Sequence, residues 1–380
     1  MKNVHIYPSA FRHETRILKQ AGTLEGRLGV RSIELIGVSM GGFPSVEKLS
    51  DGITIHRLGP SKGQGVMKVL RHLLWCINVL VFCLRYRADI VNCHSLPVLP
   101  IGVLIKFMTR CRLVYDAHEL ETETSWIAGW PKRLAKNLEK ICMPAVDLLI
   151  VVSPGIENWY RQNLNPRAVT TVLNAPHYRV SPPRGRKFHD AFPIETGERV
   201  VLYQGNLAPH RGIEEILAAL PMLKSRRLRV VFMGFGPLEE WLRANSADKG
   251  YFVHKAVSQA ELLGYTASAD VAVCLMQDTC LNHHLCLPNK LFEYVMARVP
   301  VVTSNVPEIR HVVEKYNIGV CIQRWDGEWM ADAIAGVLAR PEVELRSSLD
   351  TVASLYNWEL QEDRMVAAYE TYIFPRLKKN

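Results

Sequence analysis

The stretch PNKLFEYVMARVPVVT, which spans Pro288–Thr303, predicts a loop, a helix and a buried strand in succession. Pro288 ends the loop and Asn289 opens the helix. The first turn of a helix leaves backbone N–H groups unpaired, and such groups commonly bind phosphate. Lys290 lies in this turn, where the helix dipole disfavours a cation unless an anion binds beside it. The stretch therefore predicts a unit of an α/β fold with an anion site at its helix.

A carboxylate follows the lysine on the same helix. Glu293 lies about one turn after Lys290, where it can accept hydrogen bonds from sugar hydroxyl groups. A phosphate site beside an acceptor for hydroxyl groups is typical of a nucleotide-sugar site. An ordinary amphipathic helix with a surface lysine and glutamate is the alternative, and this stretch alone leaves both interpretations open.

Strands and helices alternate along the whole chain, which predicts an α/β protein with parallel sheets. A length of 380 residues favours two domains. The alternation is interrupted by the proline-rich, basic segment Ala175–Gly197 and then restarts. We predict doubly wound domains at 1–180 and 195–355, with that segment as the linker and a closing helix within 356–380. Such domains bind ligands at the carboxyl ends of their strands, so the expected site is a cleft between them.

Positive charge is concentrated in the first half of the chain. Residues 1–190 contain 26 Lys and Arg against 14 Asp and Glu, a net charge of +12, whereas the remaining residues carry −3. The first domain is therefore expected to face an anionic partner. Its basic residues lie among apolar runs and form no aromatic-basic nucleic-acid motif. An anionic membrane surface or a lipid phosphate is favoured over nucleic acid.

The segment Val69–Leu84 is the most apolar part of the chain. Arg71, His72 and Asn78 interrupt it, and the apolar run that remains is shorter than the roughly 20 residues that span a bilayer. Two interpretations stay open, an amphipathic helix at a membrane interface and a buried helix of the first domain.

The nine cysteines are odd in number, form no Cys-x-x-Cys motif and follow no secretory signal peptide. They are expected to be free thiols in a reducing cytoplasm. The segment Cys280–Cys286 contains zinc-ligand residue types, but its spacing matches no common structural zinc site, so we predict no metal.

A second anion site is predicted in the segment YQGNLAPHRG, Tyr203–Gly212. It follows the first strand of the second domain, turns at Gly205 and Asn206, and leads into a helix. Arg211 can form bidentate, charge-assisted hydrogen bonds with phosphate oxygens. An exposed arginine at a helix start is the alternative interpretation of this residue.

The strand after that ends in a glycine turn at Gly234 and Gly236. A Gly-x-Gly pair alone indicates little more than a tight turn.

Three titratable residues, Asp116, His118 and Glu119, end a predicted buried strand of the first domain. Strand ends of this kind carry ligand sites in α/β domains, and the two carboxylates can orient the His118 ring. A structural histidine is the alternative.

Four motifs in this order resemble those of retaining GT-B glycosyltransferases of the family-four type, the group 1 glycosyltransferases. They are Asp-Ala-His-Glu at 116–119, Gly-Asn…Arg-Gly at 205–212, Gly-x-Gly-Pro at 234–237 and Pro-Asn-Lys…Glu at 288–293. The resemblance covers nearly the whole chain. It implies two Rossmann-like domains that face a cleft, with the acceptor on the first domain and the nucleotide-sugar donor on the second. It also implies that the last helix crosses back to the first domain and that transfer proceeds by same-face attack with retention.

The resemblance also assigns roles to residues. Arg211, Lys290 and the N–H groups of 289–291 would stabilise the leaving diphosphate, and His118 would contact the sugar near its reacting carbon. These three side chains are the predicted catalytic residues. The predicted donor-binding residues are Gly205, Asn206, Gly234, Gly236, Lys255, Asn289, Leu291 and Glu293, of which Glu293 would hold the ribose. The predicted acceptor-side residues are Arg12, His13, Asp116 and Glu119.

The chain departs from the family pattern at several positions. Asn206 replaces a first cation, Leu285 replaces the first of two paired glutamates, and the loop with Arg12 and His13 lacks the usual Gly-Gly pair. These departures leave the identity of the sugar open. The chain also has no Asp-x-Asp motif for a divalent cation, so protein groups are expected to stabilise the diphosphate. No cofactor is predicted beyond a UDP- or GDP-linked sugar as substrate.

The sequence therefore predicts a retaining hexosyltransferase that acts without metal on a lipid-linked saccharide in bacterial surface polysaccharide assembly. It is expected to be cytoplasmic and peripherally associated with the inner face of the cell membrane. Four alternatives stay open. A GT-B epimerase would convert the donor without an acceptor, and a non-catalytic protein would only bind the nucleotide. An α/β hydrolase would use Ser39 in the Gly37–Gly41 motif, although Pro44 disfavours the helix it needs. A nicotinamide-dependent oxidoreductase would need a third glycine where Glu239 stands.

Overall fold

Apolar strands and helices alternate throughout the chain and form two α/β units. The computed structural model describes residues 1–12, 14–59, 66–180, 182, 184–246 and 249–377, without the side chains of 66–69 and 376. The first unit comprises Met1–Val172 with Gln361–Asn380, and the second comprises Leu173–Leu360. Each unit is built on a largely parallel sheet, so the predicted α/β class is confirmed.

The first unit contains an eight-stranded sheet. Its strands are β1 Lys2–Ile6, β2 Ser32–Val38, β3 Val46–Lys48, β4 Ile53–Leu58, β5 Ile90–Cys93, β6 Arg112–Asp116, β7 Leu148–Val151 and β8 Val169–Thr171. Their order in the sheet is β3-β4-β2-β1-β5-β6-β7-β8, and only the edge strand β3 is antiparallel to its neighbour. Because β2 and β5 pair with opposite edges of β1, the strand order reverses between β1 and β5. Doubly wound sheets bind ligands at such a switch point.

The helices of this unit cover the sheet. They are α1 Thr15–Gly26, α2 Val66–Tyr86, α3 Leu99–Thr109, α4 Gly129–Cys142 and α5 Pro154–Asn163. The start of α5 is marked by residue types that are common at helix starts. The Ser153 hydroxyl accepts the backbone N–H of Ile156 at 3.1 Å, and Pro154 occupies the first helical position.

The second unit contains a six-stranded parallel sheet with the helices that connect its strands. Its strands are β9 Arg199–Asn206, β10 Leu228–Phe235, β11 Tyr251–Lys255, β12 Val271–Cys274, β13 Val301–Ser304 and β14 Gly319–Ile322. Its helices are α6 Lys187–Ala191, α7 Ile213–Ser225, α8 Glu239–Ala244, α9 Gln259–Thr266, α10 Leu281–His284, α11 Asn289–Met296, α12 Pro307–Lys315, α13 Gly327–Leu338 and α14 Glu342–Leu355. The strand order is β11-β10-β9-β12-β13-β14, so the switch point of this sheet lies between β9 and β12.

The helix α11 is held against this switch point by its apolar face. Leu291, Phe292 and Val295 are fully buried in the core of the unit. The Tyr294 hydroxyl accepts the backbone N–H of Gln204 in β9 at 3.0 Å and donates to the carbonyl of Val273 in β12 at 3.3 Å. This hydroxyl joins the two strands where their direct pairing ends, and it fixes the face of α11 that carries Lys290 and Glu293.

The last helix, α15 Trp358–Ala368, starts in the second unit and continues into the first. Thr23 donates to the Glu362 carboxylate at 2.7 Å. The buried Tyr369, which follows the helix, donates its hydroxyl proton to the side-chain oxygen of Asn92 in β5. The C-terminal residues are therefore part of the core of the first unit.

The segment 175–197, predicted to be a linker, packs into the second unit instead. Its short helix α6 buries Phe188, whose ring lies 5.8 Å from that of Tyr265. Two further differences concern elements that the sequence analysis missed. The strand β3 has only three residues, and α14 buries Leu345 and Leu349 at helical spacing against the core. Within the described residues, no helix combines the length and the apolar character that crossing a bilayer requires.

Candidate active site

The predicted donor-binding glycines lie at the carboxyl ends of neighbouring strands. Gly205 pairs with Gly234, and Asn206 pairs with Phe235, at the ends of β9 and β10. A Cβ atom on Gly234 would lie 1.8 Å from the carbonyl oxygen of Gly205, and one on Gly236 would lie 2.5 Å from that of Leu207. The two loops therefore pass each other at a distance that only glycine permits.

Arg211 and Lys290 lie close together beside this edge. The Lys290 ammonium lies 4.5 Å from the centre of the Tyr203 ring, and Arg211 Nη1 lies 3.3 Å from the sulfur of Met276. Burial lowers the pKa of Lys290 below its ordinary value, and the positive charge of Arg211 acts in the same direction. In the described part of the chain, neither side chain forms a salt bridge with a carboxylate. Two adjacent cations of this kind favour an anionic ligand.

Glu293 is held on the neighbouring face of α11. Its carboxylate accepts a hydrogen bond of 2.5 Å from the side-chain amide of Gln204. The amide oxygen of Gln204 in turn accepts the hydroxyl proton of Thr266 at 2.7 Å. Gln204 is buried, so this chain of hydrogen bonds fixes the position of Glu293. The carboxylate is only half-buried, so a ligand can reach it.

Leu291 is a correction to the predicted donor site. Its side chain is fully buried in the core, and its backbone N–H donates to the carbonyl of Pro288 at 3.1 Å. Leu291 therefore lies on the core face of α11, and neither its side chain nor this N–H is available to a ligand. Asn289 is exposed at the first position of the helix.

Lys255, another predicted donor-binding residue, lies at the end of the next strand. Lys255 ends β11 and is exposed, and the carbonyl of Lys255 accepts the Nδ1–H of His254 at 2.7 Å. Phe235 stands between Gly234 and Gly236 and exposes 62% of its surface. An exposed aromatic ring between two glycines provides a flat surface on which a base can stack.

In the first unit, the carboxylate of Asp116 is the centre of a buried cluster. Arg16 donates to it from Nε at 3.0 Å and from Nη2 at 2.7 Å, and Gln20 donates at 2.9 Å. His94 Nδ1 and His118 Nε2 approach the same carboxylate at 3.0 and 3.1 Å. Asp116 is buried, yet Arg16 and the two histidines hold its pKa well below the ordinary value.

The ionised carboxylate determines the tautomers of the two histidines. An ionised carboxylate only accepts hydrogen bonds, so His94 Nδ1 and His118 Nε2 are the protonated ring nitrogens. His94 Nε2 then accepts a hydrogen bond of 2.7 Å from His5 Nδ1. Burial lowers the pKa of His94 to about 4, so this ring is neutral near pH 7. His118 is the partly exposed member of the cluster, and its Nε2 is the ring nitrogen that faces Asp116.

His94, Asp116 and His118 also form the one group of three potential metal ligands within 4.8 Å that the described residues contain. Arg16 already neutralises the carboxylate that such an ion would need. The Cys280–Cys286 segment forms no such group. There the Nδ1 atoms of His283 and His284 lie 3.0 Å from Thr279 and 2.8 Å from Asp278.

Tyr7 contacts the His118 ring, and Glu121 follows His118 by three residues in the chain. The Tyr7 ring lies 5.4 Å from the His118 ring. Burial raises the pKa of Glu121 to about 8, while Glu121 accepts the backbone N–H of Leu96 at 2.9 Å. Glu119, which was predicted to orient His118, is exposed, and the ring is instead contacted by Asp116 at 3.1 Å and by His94 Nδ1 at 3.3 Å.

Arg12 is exposed in the loop after β1, with its guanidinium 5.7 Å from the centre of the Phe43 ring. His13, the other residue predicted in this loop, lies outside the described residues.

Ser39 does not stand at a nucleophile elbow. The strand β2 is followed by a turn and the strand β3, and no helix occurs among residues 39–59. The geometry that a hydrolase needs is therefore missing from this segment.

Sequence reasoning missed the residues that hold the predicted ones in place. Arg16, Gln20 and His94 surround Asp116, and Gln204 orients Glu293. His94 follows the buried strand β5, just as His118 follows β6, so its position at a strand end was a signal available in the sequence. Arg16 and Gln20 gave no such signal, because a polar residue on a helix is ordinarily exposed.

Comparison with known proteins places both units in one class of enzyme. Residues 13–176 match a glycosyl transferase 4-like domain, and residues 198–340 match the glycosyl transferases group 1 family. A probable glycosyltransferase of Pseudomonas aeruginosa, WbjE, is 24% identical over 311 residues, which cover 73% of this chain and 77% of WbjE. Glycogen synthase of Mycobacterium tuberculosis is 23% identical over 288 residues, which cover 72% of this chain and 66% of that enzyme.

Solved structures show the same fold. Sucrose-phosphate synthase of Thermosynechococcus elongatus superposes with a TM-score of 0.79 at 16% identity, over 98% of this chain and 99% of the other. HepE of Anabaena, solved with UDP and glucose, superposes with a TM-score of 0.74 at 15% identity, over 97% and 99%. The predicted two-domain GT-B fold is thus confirmed. The chain carries the two domains of a GT-B glycosyltransferase, a 4-like domain followed by a domain of the group 1 family.

Proposed function

We propose that the protein transfers a hexosyl group from a UDP- or GDP-linked sugar to a lipid-linked saccharide, with retention and without a metal ion. The observation that carries the proposal is the pair Arg211 and Lys290, two adjacent cations with no carboxylate ion pair in the described residues, at the switch point of the second sheet. HepE, of the same fold, was solved with UDP-glucose, which supports a nucleotide sugar as donor.

In the transfer, the bond between the anomeric carbon and the diphosphate oxygen breaks, and a bond from that carbon to an acceptor oxygen forms. The acceptor hydroxyl passes its proton to an oxygen of the departing diphosphate, on which negative charge develops as its bond to the sugar breaks. Arg211 and Lys290 stabilise that charge by electrostatic preorganisation. An approaching diphosphate also favours protonated Lys290, which offsets the lowering of its pKa by burial.

The other residues bind and position the substrates. Glu293, oriented by Gln204, accepts hydrogen bonds from the ribose hydroxyl groups, and the Phe235 turn supports the base. In the first unit, Asp116 holds His118 by its Nε2 and leaves the other edge of the partly exposed ring for the acceptor side. No step requires a cofactor.

Charge and thiol chemistry support the proposed acceptor and location. The net charge of +12 in residues 1–190 supports an anionic, lipid-linked acceptor at a membrane surface. All nine cysteines are free thiols, which supports a reducing compartment. We infer that the enzyme works in the cytoplasm, on the inner face of the cell membrane, in the assembly of a bacterial surface polysaccharide. WaaG, described as involved in lipopolysaccharide biosynthesis, shares the fold with a TM-score of 0.70 at 14% identity.

The first experiment is a thermal-shift screen with UDP, GDP, CMP and NAD in the presence of EDTA. A ligand at about one hundred times its dissociation constant adds roughly 2.7 kcal/mol of stability. We expect stabilisation by UDP or GDP alone. Stabilisation by NAD, or by none of the four, contradicts the proposed donor site.

Variants then test the residues. Arg211→Ala and Lys290→Ala should each lower nucleotide affinity tenfold or more, because each removes a charge-assisted bond to phosphate. Arg226→Ala is the matched control, since Arg226 is an exposed arginine of the same unit that pairs with Asp332. Transfer is then measured with donor and a lipid-linked acceptor, and anomeric configuration is read by NMR. Conversion of the donor without acceptor would identify an epimerase, and binding without any turnover a non-catalytic protein.

A further inference from the structure

The helix α4 exposes an apolar stripe instead of burying it. Trp130, Leu134 and Ile141 lie four and seven residues apart, on one face of the helix. Trp130 is 75% exposed and Ile141 is 74% exposed. The opposite face of α4 is the one that packs into the unit, where Glu139 and Cys142 are buried. An amphipathic helix with its apolar stripe in solvent has a missing partner.

Two neighbouring helices extend this surface, because α3 packs between α2 and α4. Phe107 on α3 is 86% exposed. Their other exposed apolar residues follow the same helical spacing and are Leu70, Leu73, Leu74, Ile77 and Val81 on α2, and Leu104 and Met108 on α3. We name the exposed apolar residues of these three helices the α2–α4 face. Isolated exposed apolar residues are common, but a stripe shared by three adjacent helices is not.

The α2–α4 face carries no exposed negative charge. The sequences of α2 and α3 contain no Asp or Glu. The single carboxylate of α4, Glu139, is buried and accepts the hydroxyl protons of Tyr160 at 2.5 Å and Tyr115 at 3.2 Å. Arg85, Arg133 and Lys140 are exposed on these helices, and none forms a salt bridge within the residues described. The surface is thus apolar in its centre and basic at its margins.

We propose that the α2–α4 face docks on an anionic lipid bilayer, with the helices lying in the interface plane. This inference rests on the proposed function at a membrane and names the surface that serves it. Trp130 and Trp126, both exposed, have the amphipathic rings that favour the depth of the lipid headgroups. The basic margin attracts anionic headgroups, and each Lys or Arg near such a surface adds about fivefold to partitioning. A second copy of the chain fits less well, because a two-fold symmetric contact would bring two basic margins together.

The test is co-sedimentation of the full chain with vesicles of 70% phosphatidylcholine and 30% phosphatidylglycerol, and with pure phosphatidylcholine vesicles. We expect binding to the anionic vesicles and at least tenfold weaker binding to the neutral ones. The variant Trp130→Ser with Ile141→Ser removes the apolar stripe, and Arg133→Gln with Lys140→Gln removes the basic margin. Each pair should weaken binding tenfold or more. The control is Trp241→Ser with Val343→Ser, two exposed apolar residues of the second unit, and it should bind as the unaltered chain does.

Two outcomes overturn the inference. One is vesicle binding that neither pair of substitutions weakens. The other is absence of binding to the anionic vesicles, and a dimer in sedimentation velocity that Trp130→Ser with Ile141→Ser dissociates would then assign the α2–α4 face to a second copy of the chain. The thermal shift with UDP and GDP is measured on the same variants without lipid. If UDP or GDP still raises the unfolding temperature but vesicle binding fails, the docking surface is wrong and the donor site is retained. If vesicles bind but neither nucleotide raises the unfolding temperature, the donor site alone is wrong.

Discussion

Asp116 shows how a single buried residue can hold a site together. It is fully buried but ionised, because Arg16, Gln20, His94 and His118 all direct donors at its two oxygens. A buried carboxylate is stable only when it is compensated to this degree. The same hydrogen bonds give His118 one defined tautomer, so the charge balance of the core and the chemistry of the exposed ring depend on each other.

Replacement of Asp116 by Asn should therefore destabilise the first unit strongly. The guanidinium of Arg16 would remain buried without its counter-charge, which costs about 3–5 kcal/mol. Urea unfolding measures the change. The double variant Arg16→Met with Asp116→Asn should lose less than the two single variants added together, because it removes both charges. Strict additivity of the two losses would show that the ion pair does not couple them.

Glu121 should make stability depend on pH in the direction opposite to an ordinary carboxylate. Its pKa is raised to about 8 in the folded protein, against about 4.3 in an unfolded chain. The folded protein thus keeps a proton that the unfolded chain releases. This contribution to stability is fully present below pH 4.3 and is lost as the pH rises toward 8, by at most about 1.4 kcal/mol per pH unit.

The test compares Glu121→Gln with the unaltered protein by urea unfolding between pH 5 and pH 8. Glutamine is neutral at every pH, so the variant should gain stability relative to the unaltered protein as the pH rises. Glu119→Gln is the control, since Glu119 is an exposed carboxylate two residues away. A difference between Glu121→Gln and the unaltered protein that is independent of pH would contradict the raised pKa.

At the scale of elements, the candidate site lies at strand ends whose positions can be predicted from the sequence. From the sequence we predict three strands, Ile90–Cys93, Leu113–Asp116 and Val271–Leu275, and a helix Asn289–Ala297. These bounds agree closely with β5, β6, β12 and α11, because apolar runs between turn residues mark these elements directly. The elements that were missed have weaker local signals. The strand β3 is a three-residue edge, and α6 lies in a proline-rich segment and owes its place to the burial of Phe188.

The close contact between the ends of β9 and β10 predicts that Gly234 tolerates no side chain. Gly234→Ala places a methyl group 1.8 Å from the backbone carbonyl of Gly205, so the two strand ends must separate. We expect destabilisation of several kcal/mol and loss of nucleotide binding, because backbone can move only at a large cost. Gly336→Ala in α13 is the matched control. A methyl group there meets nothing within 4 Å, and the exchange should stabilise that helix by roughly 0.5–1 kcal/mol. Nucleotide binding retained by Gly234→Ala would show that this turn does not form the donor site.

At the scale of the whole molecule, the two ends of the chain share one core. Residues 361–380 belong to the first unit, where Tyr369 is buried against β5. Such an arrangement makes the first unit dependent on the last residues of the chain, although the second unit separates them by some 190 residues in sequence.

Deletion of residues 361–380 should therefore destabilise the first unit and leave the second largely intact. Loss of Tyr369 leaves the buried Asn92 without its hydroxyl donor and creates a cavity, each of which costs about 1–3 kcal/mol or more. Hydrogen exchange followed by mass spectrometry resolves the two units. Faster exchange should appear in β1, β5 and β6 but not in β9 or β12. Equal acceleration in both units would indicate that they unfold together.

The sequence by itself determined the α/β class, most strands, the helix α11 and the pair Arg211 and Lys290, because these depend on local periodicity and on residue type at the ends of elements. Only the tertiary structure decided which polar residues hold the site. Arg16 lies 100 residues from Asp116 in sequence, and Gln204 lies 89 residues from Glu293. The tertiary structure also decided that the apolar stripe of α4 faces outward and that Leu291 is buried. A helical pattern shows which residues share a face, but it does not show whether that face meets the core, a ligand or a membrane.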